Sequence, residues 1–123
     1  MYEVRFHGRG GQGAVTAAAM LAAALLEEGK YAVSIPSFGF ERRGAPVVSF
    51  LRCSDREIRQ LTNIYTPDCL ICVDPTLAKT VDIFGGLKPG GTLVQATNKP
   101  LAEVALSPSV ATVGLCDAIG IAL

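Results

Sequence analysis

The feature that most constrains the fold is a glycine-rich loop between a short predicted strand and an alanine-rich helix. Tyr2–Phe6 alternates and then becomes apolar, which is typical of a strand. Gly8-Arg9-Gly10-Gly11-Gln12-Gly13 follows, and Ala14–Glu28 then contains seven alanines and no β-branched residue after Thr16. Gly29 is placed to end this helix. A strand, a tight loop and a helix in this order predict the first unit of an α/β sheet.

The rest of the chain alternates apolar segments of strand length with polar connections. Further strands are predicted at Tyr31–Ile35, Ala45–Cys53, Cys69–Val73, Thr92–Ala96 and Val110–Val113. A short helix is predicted at Asp55–Thr62, because Ser54 and Glu57 have the spacing of a capping box. A second is predicted from Asp74-Pro75 to about Phe84, since proline is tolerated at the first helical position.

The connection between the second and third strands decides the type of sheet. Pro36–Gly44 has nine residues with a proline and two glycines, too few for a parallel crossover. The two strands are therefore antiparallel neighbours, or they are held apart by a functional loop. The predicted fold class is α/β: a Rossmann-like three-layer sandwich with a mixed, mostly parallel sheet and Tyr2–Phe6 in its middle.

Length, charge and hydropathy exclude several classes of protein. A chain of 123 residues holds one domain. Eleven basic side chains balance eleven acidic ones, which argues against a nucleic-acid partner. All seven arginines lie between Arg5 and Arg59, so an anion is expected to bind the first half. The longest apolar run, Ala17–Leu26, is half of a membrane span, so a cytoplasmic location without a membrane partner is expected.

The glycine loop is the first candidate site. Gly8, Gly10 and Gly13 form a G-x-G-x-x-G pattern between a predicted strand and a predicted helix. Such a loop offers backbone N–H groups and the positive end of a helix to a phosphate or another anion. The alternative is a tight turn with close helix packing and nothing bound. Simple NAD binding is disfavoured, because Ile35-Pro36-Ser37 stands where a ribose-binding acidic residue is expected.

The connection after the second strand is the other candidate site. Ser37–Pro46 combines two aromatic residues and two glycines with the cluster Glu41-Arg42-Arg43. Two adjacent arginines can bind phosphate or carboxylate through paired hydrogen bonds. The alternative is a solvated loop in which Glu41 satisfies one arginine.

The cysteines and the histidine favour structural roles. Cys69 and Cys72 are three apart on a predicted buried strand, so their side chains are expected on opposite faces and not on one metal. Cysteine in such a position behaves as a small hydrophobic residue, and no metal site is predicted. His7, the single histidine, stands beside the glycine loop and is expected to be structural, with no catalytic residue assigned to this chain.

Taken together, the two loops resemble a known family. His7–Gly13 followed by Phe38–Pro46 closely resembles the gamma subunit of the 2-oxoacid:ferredoxin oxidoreductases, with the pyruvate type nearest. Arg52, Leu87–Gly91 and Cys116-Asp117-Ala118-Ile119 also match the pattern. The resemblance covers nearly the whole chain and implies a single gamma-type domain.

The resemblance implies a subunit that is inactive alone and holds no cofactor by itself. In the family, thiamine diphosphate and iron–sulfur clusters lie on partner subunits of the alpha, beta and delta type. The complex oxidises a 2-oxoacid such as pyruvate to an acyl-CoA and passes electrons to ferredoxin. This chain would help to position coenzyme A and pack against the catalytic subunits. The residues expected to contact the coenzyme are Gly8, Arg9, Gly10, Gly11, Gly13, Glu41, Arg42 and Arg43.

Two other classes of function remain open at this point. One is a stand-alone nucleotide-binding enzyme that uses the same glycine loop. The other is a structural interaction module whose loops face protein alone. Relatives usually continue beyond the position of Leu123, so the chain is a compact variant, a fragment, or one whose missing part comes from another subunit.

Overall fold

One six-stranded mixed sheet organises the chain in a computed structural model, which describes residues 1–11, 13–36, 46–59, 61–79, 81–104 and 106–116. The strands are β1 (Tyr2–Arg9), β2 (Tyr31–Pro36), β3 (Pro46–Ser54), β4 (Cys69–Cys72), β5 (Gly91–Ala96) and β6 (Val110–Cys116). A single long helix, α1, spans Ala14–Glu27, and 3-10 turns lie at Leu77–Lys79 and Leu101–Glu103. The order across the sheet is β2-β3-β1-β4-β5-β6.

The strand pairing confirms the predicted α/β class and the interior position of β1. β1 pairs antiparallel with β3 and parallel with β4, and the parallel half continues through β5 to β6. β2 and β3 are antiparallel neighbours, as the short connection predicts. β1 and β2 are not adjacent in the sheet. The crossover through α1 is long enough to pass one strand position, and β3 occupies the gap between β1 and β2.

Helix α1 packs on one face of the sheet through its alanines. Ala14, Ala18 and Ala22, spaced by four, form its buried side. Gly29 follows the helix with φ +85°, a left-handed conformation that favours glycine, and so ends it as predicted. The buried cluster beneath the helix consists of Val4, Phe6, Ala18, Ala22, Leu51 and Cys69. Small helix side chains therefore bring the backbone of α1 close to β1 and β3.

The prediction of a helix at Asp55–Thr62 is wrong. None of the described residues of this segment is helical. Ser54 stays in β3, and its Oγ accepts a hydrogen bond from the Arg56 N–H at 3.2 Å. The buried guanidinium of Arg52 donates to the carbonyl oxygens of Thr62 and Asn63. The Ser54 hydroxyl thus satisfies a backbone N–H of an irregular segment, and the capping-box spacing alone does not produce a helix.

The second predicted helix is reduced to the single turn Leu77–Lys79. Asp74 does cap this turn, since its Oδ1 accepts from the Thr76 N–H at 2.7 Å. Beyond it, the Arg5 guanidinium donates to the carbonyl oxygens of Ile83 and Gly85 in an irregular segment. The face of the sheet opposite α1 is therefore covered by short irregular segments where helices were predicted. In the part of the chain described, no helix has the length and apolar character needed to cross a membrane.

Candidate functional site at the carboxyl ends of the parallel strands

The arrangement of β1 and β4 marks where a ligand is expected in this sheet. The two strands are adjacent and parallel, and both end at the same edge. The chain leaves β1 through α1 toward β2, and it leaves β4 in the other direction toward β5. In α/β sheets, ligands gather outside the carboxyl ends of strands at such a switch point. The glycine loop begins there.

The glycine loop is shorter than its sequence pattern indicates. Gly8 lies within β1 opposite Val47, and Arg9 lies opposite Pro46, so both belong to the sheet. The strand extends through Gly8 because the start of β3 pairs with it. The turn is confined to residues 10–13, of which Gly11 has φ +89° and Gly13 has φ +83°. These two positions require a left-handed backbone that glycine adopts without strain.

Gly13 opens the N-terminus of α1 to the surroundings. It occupies the N-cap position, and its carbonyl oxygen accepts from the Ala17 N–H at 2.8 Å. No side chain caps the helix, and its first turn contains no acidic residue. A Cβ built on Gly13 would meet nothing within 4 Å. Among the described residues, no side chain therefore occupies the space beside Gly13 at the positive end of the helix dipole, which is an arrangement that binds anions.

Arg9 does not face this space alone. Its Nε lies 3.3 Å from Oδ2 of Asp74, whose carboxylate is 8% exposed. The other carboxylate oxygen of Asp74 accepts from both the N–H and the hydroxyl of Thr76, each at 2.7 Å. Asp74 thus anchors the arginine at the mouth of the β1–β4 switch point. From its position in the sequence, Asp74 was expected only to begin a short helix.

Gln95 is a second residue that sequence reasoning missed. It lies near the end of β5, and its Nε2 donates to the carbonyl oxygens of Asp74 and Ala96, both at 3.0 Å. A longer contact of 3.4 Å reaches the carbonyl oxygen of Cys72. The buried amide therefore ties the ends of β4 and β5 together beneath the site. A polar residue near the end of an apolar strand was the available signal.

Glu41, Arg42 and Arg43 lie outside the described residues, but the ends that flank their segment are placed. Pro36 at the end of β2 stands opposite Ser49, and Pro46 at the start of β3 stands opposite Arg9. Residues 37–45 therefore leave and rejoin the sheet at the edge where β1 ends. This is the edge from which the glycine loop departs.

His7 and Arg5 form a buried polar pair on the face opposite α1. The Arg5 Nε–H donates to the Nε2 of His7 at 2.9 Å. Burial, reinforced by the Arg5 charge, lowers the pKa of His7 to about 4. Burial also lowers the pKa of Arg5. The histidine is neutral near pH 7 and integrated into the core, which agrees with its expected structural role.

The two central cysteines point to opposite faces of the sheet, as predicted. Cys69 packs in the cluster under α1, and Cys72 packs in the cluster on the other face. Burial raises the pKa of both thiols. They therefore remain protonated and act as small apolar side chains.

The histidine makes a specific prediction for the pH dependence of stability. The pKa of histidine in an unfolded chain is near 6.5, whereas the pKa of His7 in the folded protein is about 4. Between these two pH values the unfolded chain binds a proton at His7 and the folded chain does not. The free energy of unfolding should therefore fall by about 2 kcal/mol between pH 7 and pH 5. His7→Asn should remove this component. Urea unfolding of both proteins across this range measures it, and equal slopes for the two would contradict the assignment.

The comparisons with known proteins agree with this geometry. A family model described as pyruvate ferredoxin/flavodoxin oxidoreductase matches residues 3–123. The chain belongs to that family. This confirms the resemblance carried by the two loops and by Arg52.

Individual members of the pyruvate ferredoxin/flavodoxin oxidoreductase family match along the whole chain. The NADH-dependent phenylglyoxylate dehydrogenase subunit gamma of Aromatoleum evansii is 79% identical over 100% of this chain and 65% of its own length. The pyruvate/ketoisovalerate oxidoreductases common subunit gamma of Thermococcus kodakarensis is 53% identical over 100% of this chain and 68% of its own. The crystal structure of pyruvate oxidoreductase subunit PORC from Thermotoga maritima superposes with TM-score 0.81 at 37% identity, covering 99% of this chain and 65% of that one. The chain thus spans about two thirds of the length of these relatives.

Proposed function

We propose that this chain serves as the gamma subunit of a complex that oxidises a 2-oxoacid to an acyl-CoA. Its membership of the family over residues 3–123 and the gamma-subunit names of its relatives support this role. Thiamine diphosphate and iron–sulfur clusters would lie on alpha, beta and delta-type partners. The isolated chain would be inactive, because all of these groups are needed for turnover.

The substrate class is what the relatives' names have in common. Those names cover pyruvate, ketoisovalerate and phenylglyoxylate. All three are 2-oxoacids. Pyruvate is the substrate of the type that the two loops were expected to match, whereas the relative with 79% identity is named for phenylglyoxylate. Ferredoxin is the proposed electron acceptor, whereas the name of the Aromatoleum relative includes NADH, for which the corresponding electron acceptor would be NAD⁺. Assays of the complex with each acid and each acceptor would decide between them.

The role proposed for this chain within the complex is to hold the phosphates of coenzyme A. The observation that carries it is the uncapped, open N-terminus of α1 at Gly13, placed at the switch point of the sheet. Gly10 and Gly11 would add backbone N–H groups, and Arg9 would supply charge from its position beside Asp74. Gly8 would support this turn from within β1. Arg42 and Arg43, oriented by Glu41, are proposed to complete the site.

A matched pair of substitutions at Gly13 tests this role. Asparagine and aspartate have nearly the same size, both tolerate a left-handed backbone, and the structure leaves room for either side chain. Only aspartate adds a negative charge where a phosphate would bind. In the assembled complex, Gly13→Asp should raise the KM for coenzyme A by about tenfold or more relative to Gly13→Asn, as repulsion between like charges at close range requires.

The outcomes of this pair separate the remaining alternatives. If the two variants show the same KM for coenzyme A, the loop binds no phosphate and the positioning role is wrong. If both also assemble less tightly with the partner subunits, the loop is part of an interaction module. Binding of an adenine nucleotide by the isolated wild-type chain would instead favour a stand-alone nucleotide-binding enzyme.

A further inference from the structure

We propose that the face of the sheet opposite α1 carries a second ligand site, a cavity that accepts a carboxylate attached to an apolar body. The cavity has a volume of about 340 Å³ and is lined by residues that include Arg5, His7, Phe50, Ile64 and Tyr65. The cavity is a wide depression open to solvent, so a bound ligand would remain partly exposed. The proposal is independent of the function proposed for the glycine loop.

His7 supplies a hydrogen-bond donor that lacks an acceptor. Its Nε2 accepts from Arg5, so the proton of the neutral imidazole resides on Nδ1. Nδ1 is the one buried side-chain nitrogen or oxygen without a hydrogen-bond partner in the described part of the chain. The residue is 4% exposed, and Nδ1 is shielded from water. A buried donor left in this state costs about 1–3 kcal/mol, and a ligand oxygen that reached Nδ1 after a shift of the neighbouring side chains would relieve that cost.

Arg5 supplies a buried positive charge next to this donor. It is 9% exposed, and its Nη2 donates to the neutral carbonyl oxygens of Ile83 and Gly85. Across the described residues, no ion pair joins Arg5 to a carboxylate. Asp82 lines the same cavity and its negative charge acts on both Arg5 and His7, but its side chain is exposed, and its Oδ1 accepts from the Phe84 N–H at 3.2 Å. A buried guanidinium is most stable beside a carboxylate, and the same carboxylate would also accept a hydrogen bond from the Nδ1–H of His7.

The apolar residues that line the cavity indicate the chemistry of the ligand beyond its carboxylate. Phe50 and Ile64 belong to one buried apolar cluster, and Val48 packs against it. Tyr65, which is 74% exposed, marks the open side. An aromatic or branched aliphatic body would cover these surfaces while its carboxylate faces Arg5 and His7. The carboxylate can belong to a free small acid or to an acidic side chain of a partner subunit.

Fluorine NMR of 4-fluorobenzoate with the whole protein, in its complex as purified, tests the site in solution. We expect saturable binding of the carboxylate and at least about tenfold weaker binding of the neutral 4-fluorobenzamide, because the amide loses the charge-assisted contact. Arg5→Gln should weaken 4-fluorobenzoate binding by a similar factor. Arg56→Gln, which removes an exposed arginine outside the cavity, should leave it unchanged. If Arg5→Gln fails to fold, the comparison of the two ligands on wild-type protein decides the matter. Equal affinity for both ligands would overturn the proposal.

A crystal structure of the complex soaked with 4-bromobenzoate identifies the source of the carboxylate. Anomalous bromine density in the cavity would support a free acid. An aspartate or glutamate of a partner subunit within hydrogen-bond distance of Arg5 or His7 would support a protein ligand. A cavity that holds only water after the soak, or one filled by an apolar side chain, would show that no carboxylate belongs there.

Discussion

Replacing Gly86 by alanine is expected to lower the free energy of unfolding by about 3–5 kcal/mol. Gly86 has φ +82°, and a Cβ built on it lies 1.9 Å from the carbonyl oxygen of Tyr65 and 3.1 Å from its carbonyl carbon. Both obstacles are backbone atoms, so no side-chain rotation can relieve the overlap. The turn at residues 83–86 would have to move away from residues 65 and 66. Because the Gly85 carbonyl binds Arg5, that movement would also disturb the buried arginine.

Gly90→Ala is the matched control for this prediction. Gly90 has nearly the same backbone conformation, φ +79°, but a Cβ there meets nothing within 4 Å. It should therefore lose only the conformational preference of glycine, about 1–2 kcal/mol. Urea unfolding of the two variants separates the contact from the conformation. Equal losses would mean that Gly86 does not approach Tyr65 as described.

Arg52→Met should cost about 3–5 kcal/mol of stability, because it breaks a buried ion pair by removing one partner. Arg52 is 3% exposed, and its Nε lies 2.9 Å from Oε2 of Glu3. Its guanidinium also satisfies the carbonyl oxygens of Thr62 and Asn63. Methionine keeps the length of the side chain but leaves the Glu3 carboxylate and both carbonyl oxygens without this donor. Thermal or urea unfolding measures the loss.

Two further variants show whether the uncompensated charge causes this loss. Adding Glu3→Gln to Arg52→Met removes the orphaned charge, so the double variant should be more stable than Arg52→Met alone by about 1 kcal/mol or more. Lys30→Met breaks the 2.6 Å pair with Asp55, whose partners are both exposed, and should hardly change stability. A double variant as unstable as Arg52→Met would assign the loss to the carbonyl oxygens and not to Glu3.

The regular elements were predictable because they follow from local pattern. Apolar runs of strand length and the alanine-rich helix appear at the expected positions, with ends that differ by a few residues. The two short helices were predicted wrongly, because a capping box and a proline at the first helical position do not by themselves keep a short segment helical. The contacts that fix these segments instead come from the sheet: Arg52 binds the carbonyl oxygens of residues 62 and 63, and Arg5 binds those of residues 83 and 85. A window of ten residues contains no information on such contacts.

The candidate site also has one part that was predictable from the local sequence and another part that was not. The G-x-G-x-x-G spacing predicted the open helix start at Gly13, because this motif encodes a local turn. Asp74 and Gln95 depend on the adjacency of β1, β4 and β5, which becomes known only with the strand order. The same is true of the cavity beside His7. Its lining comes from four separate parts of the chain that no spacing rule connects.

The central strand has a consequence for the protein during its synthesis. β1 precedes its partner strands β3 and β4 in the chain. It therefore leaves the ribosome with neither edge paired, and both edges stay unpaired until residues 46–54 and 69–72 have been synthesised. A strand in that condition is prone to aggregate. In β1, however, every second residue is charged or polar: Glu3, Arg5, His7 and Arg9. The side chains that form ion pairs and hydrogen bonds in the folded sheet thus have an earlier effect as well. They reduce the tendency of unpaired β1 to aggregate until β3 and β4 have been synthesised.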